Sequence, residues 1–132
     1  MGYRSDVAYT IRFNSEDDEL NKQSFYTFLA EAKTKEDYIL ALVDRTMHID
    51  EVRYRFDFSA SDVKWYEGYP DADSHMKLLS LADDWIANEI QPCIGYVFMR
   101  IGEHATDIEE LYSGKNEWDW IQVSRQLVLD WS

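Results

Sequence analysis

Apolar and polar positions alternate strictly at the start of the chain. Val7, Tyr9, Ile11 and Phe13 fall on one side and Ala8, Thr10 and Arg12 on the other, the pattern of a strand with one buried face. The period then changes. Asn14-Ser15 followed by Glu16-Asp17-Asp18-Glu19 reads as a helix start, a side-chain cap and then acids matched to the positive end of the helix dipole. Leu20, Phe25, Phe28, Leu29 and Ala32 give that helix an apolar stripe, and a second helical piece is predicted over Lys35–Asp44 with Tyr38, Ile39, Leu42 and Val43 inward.

Val52, Tyr54, Phe56 and Phe58 alternate with Arg53, Arg55 and Asp57, which predicts another strand. Ser59-Ala60-Ser61-Asp62 reads as a turn, and Val63 and Trp65 open the returning strand of a hairpin. Past Pro70, Asp71 and Asp73 begin a helix with Leu78, Leu79, Ala82, Trp85 and Ile86 as its stripe, ended by Gln91-Pro92. Cys93 to Ile101 is apolar on both faces, as a central strand is. Thr106-Asp107-Ile108-Glu109 has capping-box form and predicts a short helix to about Tyr112, stopped at Gly114. Trp118 to Trp131, with Ile121, Val123, Leu127 and Leu129, closes the chain as a long strand.

The order β-α-β-β-α-β, then a short helix and one more strand, predicts a single α+β domain over residues 1–132. Its expected form is a ferredoxin-like antiparallel sheet with both helices on one face and a C-terminal strand extension. Strands are expected near 5–13, 51–58, 62–66, 93–101 and 119–129, with Phe28, Phe56, Leu78 and Val97 meeting in one core. That architecture serves many functions and selects none.

Charge narrows the field. The chain carries 26 acids against 13 bases, a net of −13, and between residues 67 and 119 twelve acids stand against three bases. Such a field repels phosphate backbones and anionic lipid, so neither nucleic acid nor membrane is expected as a partner. It attracts a protein with a basic surface, and it also serves solubility. The single cysteine, Cys93, excludes an internal disulfide and opens an apolar strand, where a buried thiol is expected. Met1 to Asp6 lacks the layout of a secretory signal, and Asp6 stands where a myristoylation motif needs Ser or Thr. Cys93 to Met99, the longest apolar stretch, is too short to span a bilayer, so a soluble, cytosolic chain is expected.

Chemistry is sparse. His48, His75 and His104 have no metal-motif spacing, and neither a phosphate loop nor a nucleophile elbow occurs, so no metal, no cofactor and no catalytic residue is assigned. Arg100, Glu103, His104, Asp107, Glu109 and Glu110 form the densest polar group. An acid–base pair or a Mg²⁺ site is one reading of it. The other is a helix start plus an ion pair, with Arg100 held by Glu103 and Asp107. Residues 63–70, "VKWYEGYP", read first as a turn in which Trp65 packs inward; beside the turn-only reading stands one in which Lys64, Tyr66, Glu67 and Tyr69 also offer a protein contact surface. Glu103, Asp107, Glu109 and Glu110 make a second, acidic surface.

Three segments together, "MGYRSDV", "VKWYEGYPD" and "FMRIGEHATDIEELYSG", resemble a family of small proteins encoded by tailed bacteriophages and prophages. The likeness covers most of the chain; residues 14–50 contribute nothing to it. The family has no assigned activity, so no residue role carries over. What the resemblance implies is context: a non-virion product acting in the host bacterial cytoplasm. The leading expectation is a non-enzymatic accessory protein that binds a host or phage protein with a basic surface, in counter-defence or host takeover. Two alternatives stand beside it: a nucleic-acid mimic that inhibits a DNA-binding host protein, and a small metal-dependent hydrolase or nuclease using Glu103, His104 and Asp107. Self-association is left open.

Overall fold

A computed structural model describes residues 4–35, 47–65, 70–88, 94–102, 108–114, 121–123 and 127–129. Its elements are β1 (Arg4–Phe13), α1 (Asp18–Lys33), β2 (Met47–Asp50), β3 (Arg55–Lys64), α2 (Pro70–Ala87), β4 (Ile94–Gly102), β5 (Ile108–Gly114), β6 (Ile121–Val123) and β7 (Leu127–Leu129). β1 to β5 form one antiparallel sheet in the order β2-β3-β1-β4-β5, and β6 and β7 pair as a separate hairpin. The chain is therefore α+β.

The alternation of β1 governs the layers. Val7, Tyr9, Ile11 and Phe13 join Phe25, Phe28 and Leu29 of α1, Leu78, Leu79 and Trp85 of α2, and Phe56, Phe58 and Phe98 in one buried cluster. Both helices thus pack on one face of the sheet. They are tied to their surroundings by polar contacts at the rim: Trp85 Nε1 donates to Glu31 Oε2 at 2.8 Å, and the Tyr96 hydroxyl reaches both Asp83 carboxylate oxygens at 3.0 Å. The opposite face carries a second cluster of Ala8, Val97 and Met99, with Ile101 at its margin. β6 and β7 lie against β1, β3 and β4 without joining their ladder, so the hairpin covers this second face and makes a third layer. Val97 accordingly belongs to the second cluster, not to the core of Phe28, Phe56 and Leu78 as expected.

α1 begins later than its cap was predicted. Asp17, not Asn14-Ser15, caps it, its carboxylate accepting the Glu19 and Leu20 backbone N–H at 3.0 and 3.4 Å. Ser15 is held instead by Asn21, in a reciprocal backbone-to-side-chain pair at 2.9 and 3.0 Å. The predicted piece over Lys35–Asp44 falls almost wholly outside the described residues, as do Gln91-Pro92 and Cys93.

Four further expectations are corrected. Val52 does not begin a strand: residues 51–54 are the turn of the β2–β3 hairpin, and Val52 is 85% exposed. Asp50 makes this turn, its Oδ1 accepting the Val52 and Arg53 N–H at 3.0 and 2.9 Å, while Tyr54 adopts φ 58° to rejoin the ladder. Second, Ser59-Ala60-Ser61-Asp62 is not a turn. β3 runs through it, and the register against β1 slips where Val7↔Ala60 gives way to Ser5↔Val63. Three steps on β3 face two on β1, which is a β-bulge; it moves the inward positions from Phe56, Phe58 and Ala60 to Val63 and Trp65. The same shift of parity, read from sequence alone, looks like a chain reversal.

Third, Ile108–Gly114 is a strand, not a capped helix, because its residues pair one for one with β4 from Ile101↔Ile108 to Gly95↔Gly114. Fourth, the closing segment is two short strands of a hairpin rather than one long strand in the main sheet. Gly114 ends β5 with φ +69°, and a Cβ there would collide with the Ile94 carbonyl oxygen and lie 2.8 Å from Ile86 Cδ1. Gly114→Ala is therefore expected to cost at least about 2 kcal/mol, from the left-handed backbone and the overpacking together. Urea melts of the two proteins check this; midpoints within error of each other would show that the end of β5 relaxes freely.

Candidate functional site

β5 lies at one end of the five-stranded sheet, and it carries the described half of the acidic group seen in the sequence. Glu109 and Glu110 are both exposed, and Ile108 before them is 45% exposed, a large apolar side chain left at the surface. Glu103, His104 and Asp107 lie outside the described residues. Arg100, expected to be held by Glu103 and Asp107, has a described partner in Glu109. β4 and β5 place it opposite Glu109, with Nε 3.5 Å from Glu109 Oε1, and its Nη1 donates to Ser5 Oγ at 3.2 Å. Glu109 is about half exposed in this pair, so the contact is worth under about 1 kcal/mol. Glu110 instead sits opposite Met99, which brings no counter-charge.

The aromatic stretch is only partly described. Trp65 packs on Phe58, His75 and Phe98, with ring centroids 5.8, 5.7 and 6.2 Å away, as its inward assignment requires. Lys64 ends β3 opposite Arg4. Tyr66, Glu67 and Tyr69 lie outside the described residues.

A third polar group was not found from sequence. On the second face, near the β2 edge, Thr10 Oγ1 donates to Asp57 Oδ1 at 2.6 Å and receives Arg12 Nε at 3.0 Å. Arg55 Nε lies 3.0 Å from Asp57 Oδ2, a close ion pair without the alignment of a hydrogen bond. The Arg55 and Asp57 side chains are 4% and 1% exposed. Asp50 Oδ2 extends the group toward solvent, 4.0 Å from Arg55 and 3.9 Å from both Arg53 and His48. Alternation sets Arg55 and Asp57 on the face opposite Phe56 and Phe58, and the hairpin covers that face. The available signal was the complementary row itself, Thr10 and Arg12 on one strand against Arg55 and Asp57 on another.

Burial by itself would raise the Asp50 carboxyl. The backbone N–H groups of Arg53 and Val52, then the charges of Arg55 and His48, outweigh it and hold the pKa below its usual 3.8. A carboxyl depressed in the folded state adds stability that is fully present above the unfolded pKa and disappears as pH falls through the folded one. Asp50→Asn keeps an oxygen for the turn and removes the charge. The stability gap between wild type and Asp50→Asn, under about 1 kcal/mol at pH 7 for so peripheral a group, is expected to close below pH 3.8. Urea melts at neutral and acid pH check the sign; a gap that widens in acid contradicts it.

The two described histidines, His48 and His75, stand apart, and His104 lies outside the described residues. His48 is on β2 at the surface, whereas His75 of α2 is buried, with Nδ1 2.7 Å from the Tyr9 hydroxyl and its ring 4.0 Å from that of Phe58. Among the described residues no group of three or more His, Cys, Asp or Glu side chains could hold a metal ion, and no described helix is long and apolar enough to cross a membrane. Comparison with protein-family models, curated proteins and solved structures returned no match.

Proposed function

We propose that this chain is a non-enzymatic protein-binding factor that engages a basic surface of its partner through β5. One observation carries the reading: Ile108, Glu109 and Glu110 stand exposed in succession on a strand at the end of the sheet, in a chain of net charge −13. An exposed apolar side chain beside two exposed acids is the composition of a contact site with a charged rim rather than of a merely solvated face. The resemblance to phage and prophage proteins supplies the setting, the bacterial cytoplasm and a host or phage protein as partner. On the same reading, β1 to β4 with α1 and α2 form the ferredoxin-like split unit, and β5 is an addition at its β4 edge.

A nucleic-acid mimic fits less well. The exposed acids of the described residues are divided among the start of α1, Glu51 of the β2–β3 turn, Asp83 and Asp84 of α2, and β5, instead of following one line. Affinity capture from a bacterial lysate with wild type, Ile108→Ser and Glu110→Lys tests the proposal. A basic protein retained by wild type and lost from both variants is the expected result. Retention of the same protein by both variants, or no specific protein at all, overturns it. Release of the partner at moderately raised salt, with no effect of Ile108→Ser, would favour the mimic.

A further inference from the structure

We propose that β5 binds a basic, extended peptide segment as an added antiparallel strand, recognised as two consecutive Lys or Arg residues followed by an apolar one. The proposal rests on the acidic-edge reading and specifies the partner's chemistry. β5 is the last strand of its sheet, and no described strand pairs with its outer side. A strand so placed presents a row of backbone donors and acceptors that templates another strand. At seven residues β5 is long enough for this, whereas β2 at the opposite edge has four, with Asp50 already engaged by the turn and by Arg55.

Register and charge define the occupant. Ile108 and Glu110 share a face with their cross-strand neighbours Ile101 and Met99, while Glu109 shares the other face with Arg100. In an added antiparallel strand, the residues opposite Glu110, Glu109 and Ile108 follow one another in that order along the partner. Cross-strand pairs favour opposite charges and apolar matches, hence basic, basic, apolar. A second copy of this chain is the poorer occupant. In the register centred on the acids, pairing two β5 edges sets Glu109 and Glu110 against the same two acids, and like charges directly opposed are destabilising. Arg100 already answers part of the Glu109 charge, so Glu110 is the stronger determinant of the two.

The probe is a capped peptide of the length of β5 with Lys-Lys-Val at its centre in a Thr/Val frame, titrated into the isotope-labelled full chain at low salt. A twin peptide is N-methylated at the alternate amides that would face the edge, which abolishes backbone pairing and keeps every charge. The expected result is binding by the parent and not by the twin. With it come perturbed amide signals confined to Ile108–Ser113 and slowed hydrogen exchange at alternate β5 amides. Glu110→Lys is expected to weaken binding about tenfold and Glu109→Lys less. A peptide with Glu in place of the lysine facing position 110 is expected to recover binding to Glu110→Lys, which also shows that this variant is folded. Equal binding by the twin overturns strand addition, as do perturbations away from β5 or no binding by the parent. The lysate capture uses no designed peptide, so it judges the broader functional reading independently of these outcomes.

Discussion

Asp57→Ala is expected to lower the stability of the fold by about 3–5 kcal/mol, the cost of taking its nearest acid away from a buried charge. Asp57 and Arg55 are nearly inaccessible to water, and the same carboxylate also takes the Thr10 hydroxyl at 2.6 Å. Truncating Asp57 leaves the Arg55 guanidinium in the interior layer between sheet and hairpin, with Asp50 at 4.0 Å as its more distant acid. The double variant Arg55→Met/Asp57→Leu removes both charges and keeps volume, so it is expected to be far closer to wild type than the single one. Urea denaturation of the three proteins decides between them. A single variant within about 1 kcal/mol of wild type would mean that water reaches this layer and solvates the arginine. A double variant as unstable as the single one would assign the loss to packing.

Trp85→Ala is the second large effect, about 3–5 kcal/mol. The indole is buried where the two helices meet the sheet, edge-on to Phe28 and Phe13 with ring centroids 5.2 and 6.4 Å away. Its Nε1 donates to Glu31 Oε2 at 2.8 Å, which links α2 to α1. Trp85→Phe keeps an aromatic ring against Phe13 and Phe28 and gives up the hydrogen bond, so a loss of about 1–2 kcal/mol is expected. Denaturant midpoints followed by circular dichroism measure both. If the two variants are equally unstable, the Glu31 contact and not the ring contacts holds the helices together.

What the sequence made legible was local periodicity on one face. Tyr9, Ile11 and Phe13, the stripe Phe25-Phe28-Leu29, and the stripe Leu78-Leu79-Ala82-Trp85 all enter the main cluster as their spacing requires. Spacing failed where one residue was inserted or where a layer was added. The bulge at Ala60–Val63 changes parity in mid-strand, and nothing in Ser59-Ala60-Ser61-Asp62 distinguishes it from a turn. Thr106 to Glu109 carries a capping-box pattern, yet the tertiary pairing of Ile108–Gly114 with β4 outweighs that local preference. The second face was legible only in its apolar half. Arg55 and Asp57 look solvated until the hairpin is seen to lie over them, and no local pattern announces that docking. For the candidate site, the acids of β5 were identified, but their place on a strand at the sheet's end, and Arg100's pairing with Glu109, follow from the sheet register alone.

The position of β1 between β3 and β4 sets a timetable for biosynthesis. Both of its hydrogen-bonding edges are filled by strands made later, one beginning at Arg55 and the other ending at Gly102. At a translation rate of about 5–20 residues per second, the interval between Phe13 and Gly102 lasts on the order of ten seconds. Throughout it the nascent chain holds Tyr9, Ile11 and Phe13 with at least one open edge beside them, a segment attractive to chaperones and prone to wrong pairing. Closing the sheet then requires contacts across most of the chain, which slows folding relative to a helical protein of this size. The strand at the centre of the finished molecule is thus the one exposed longest while it is being made.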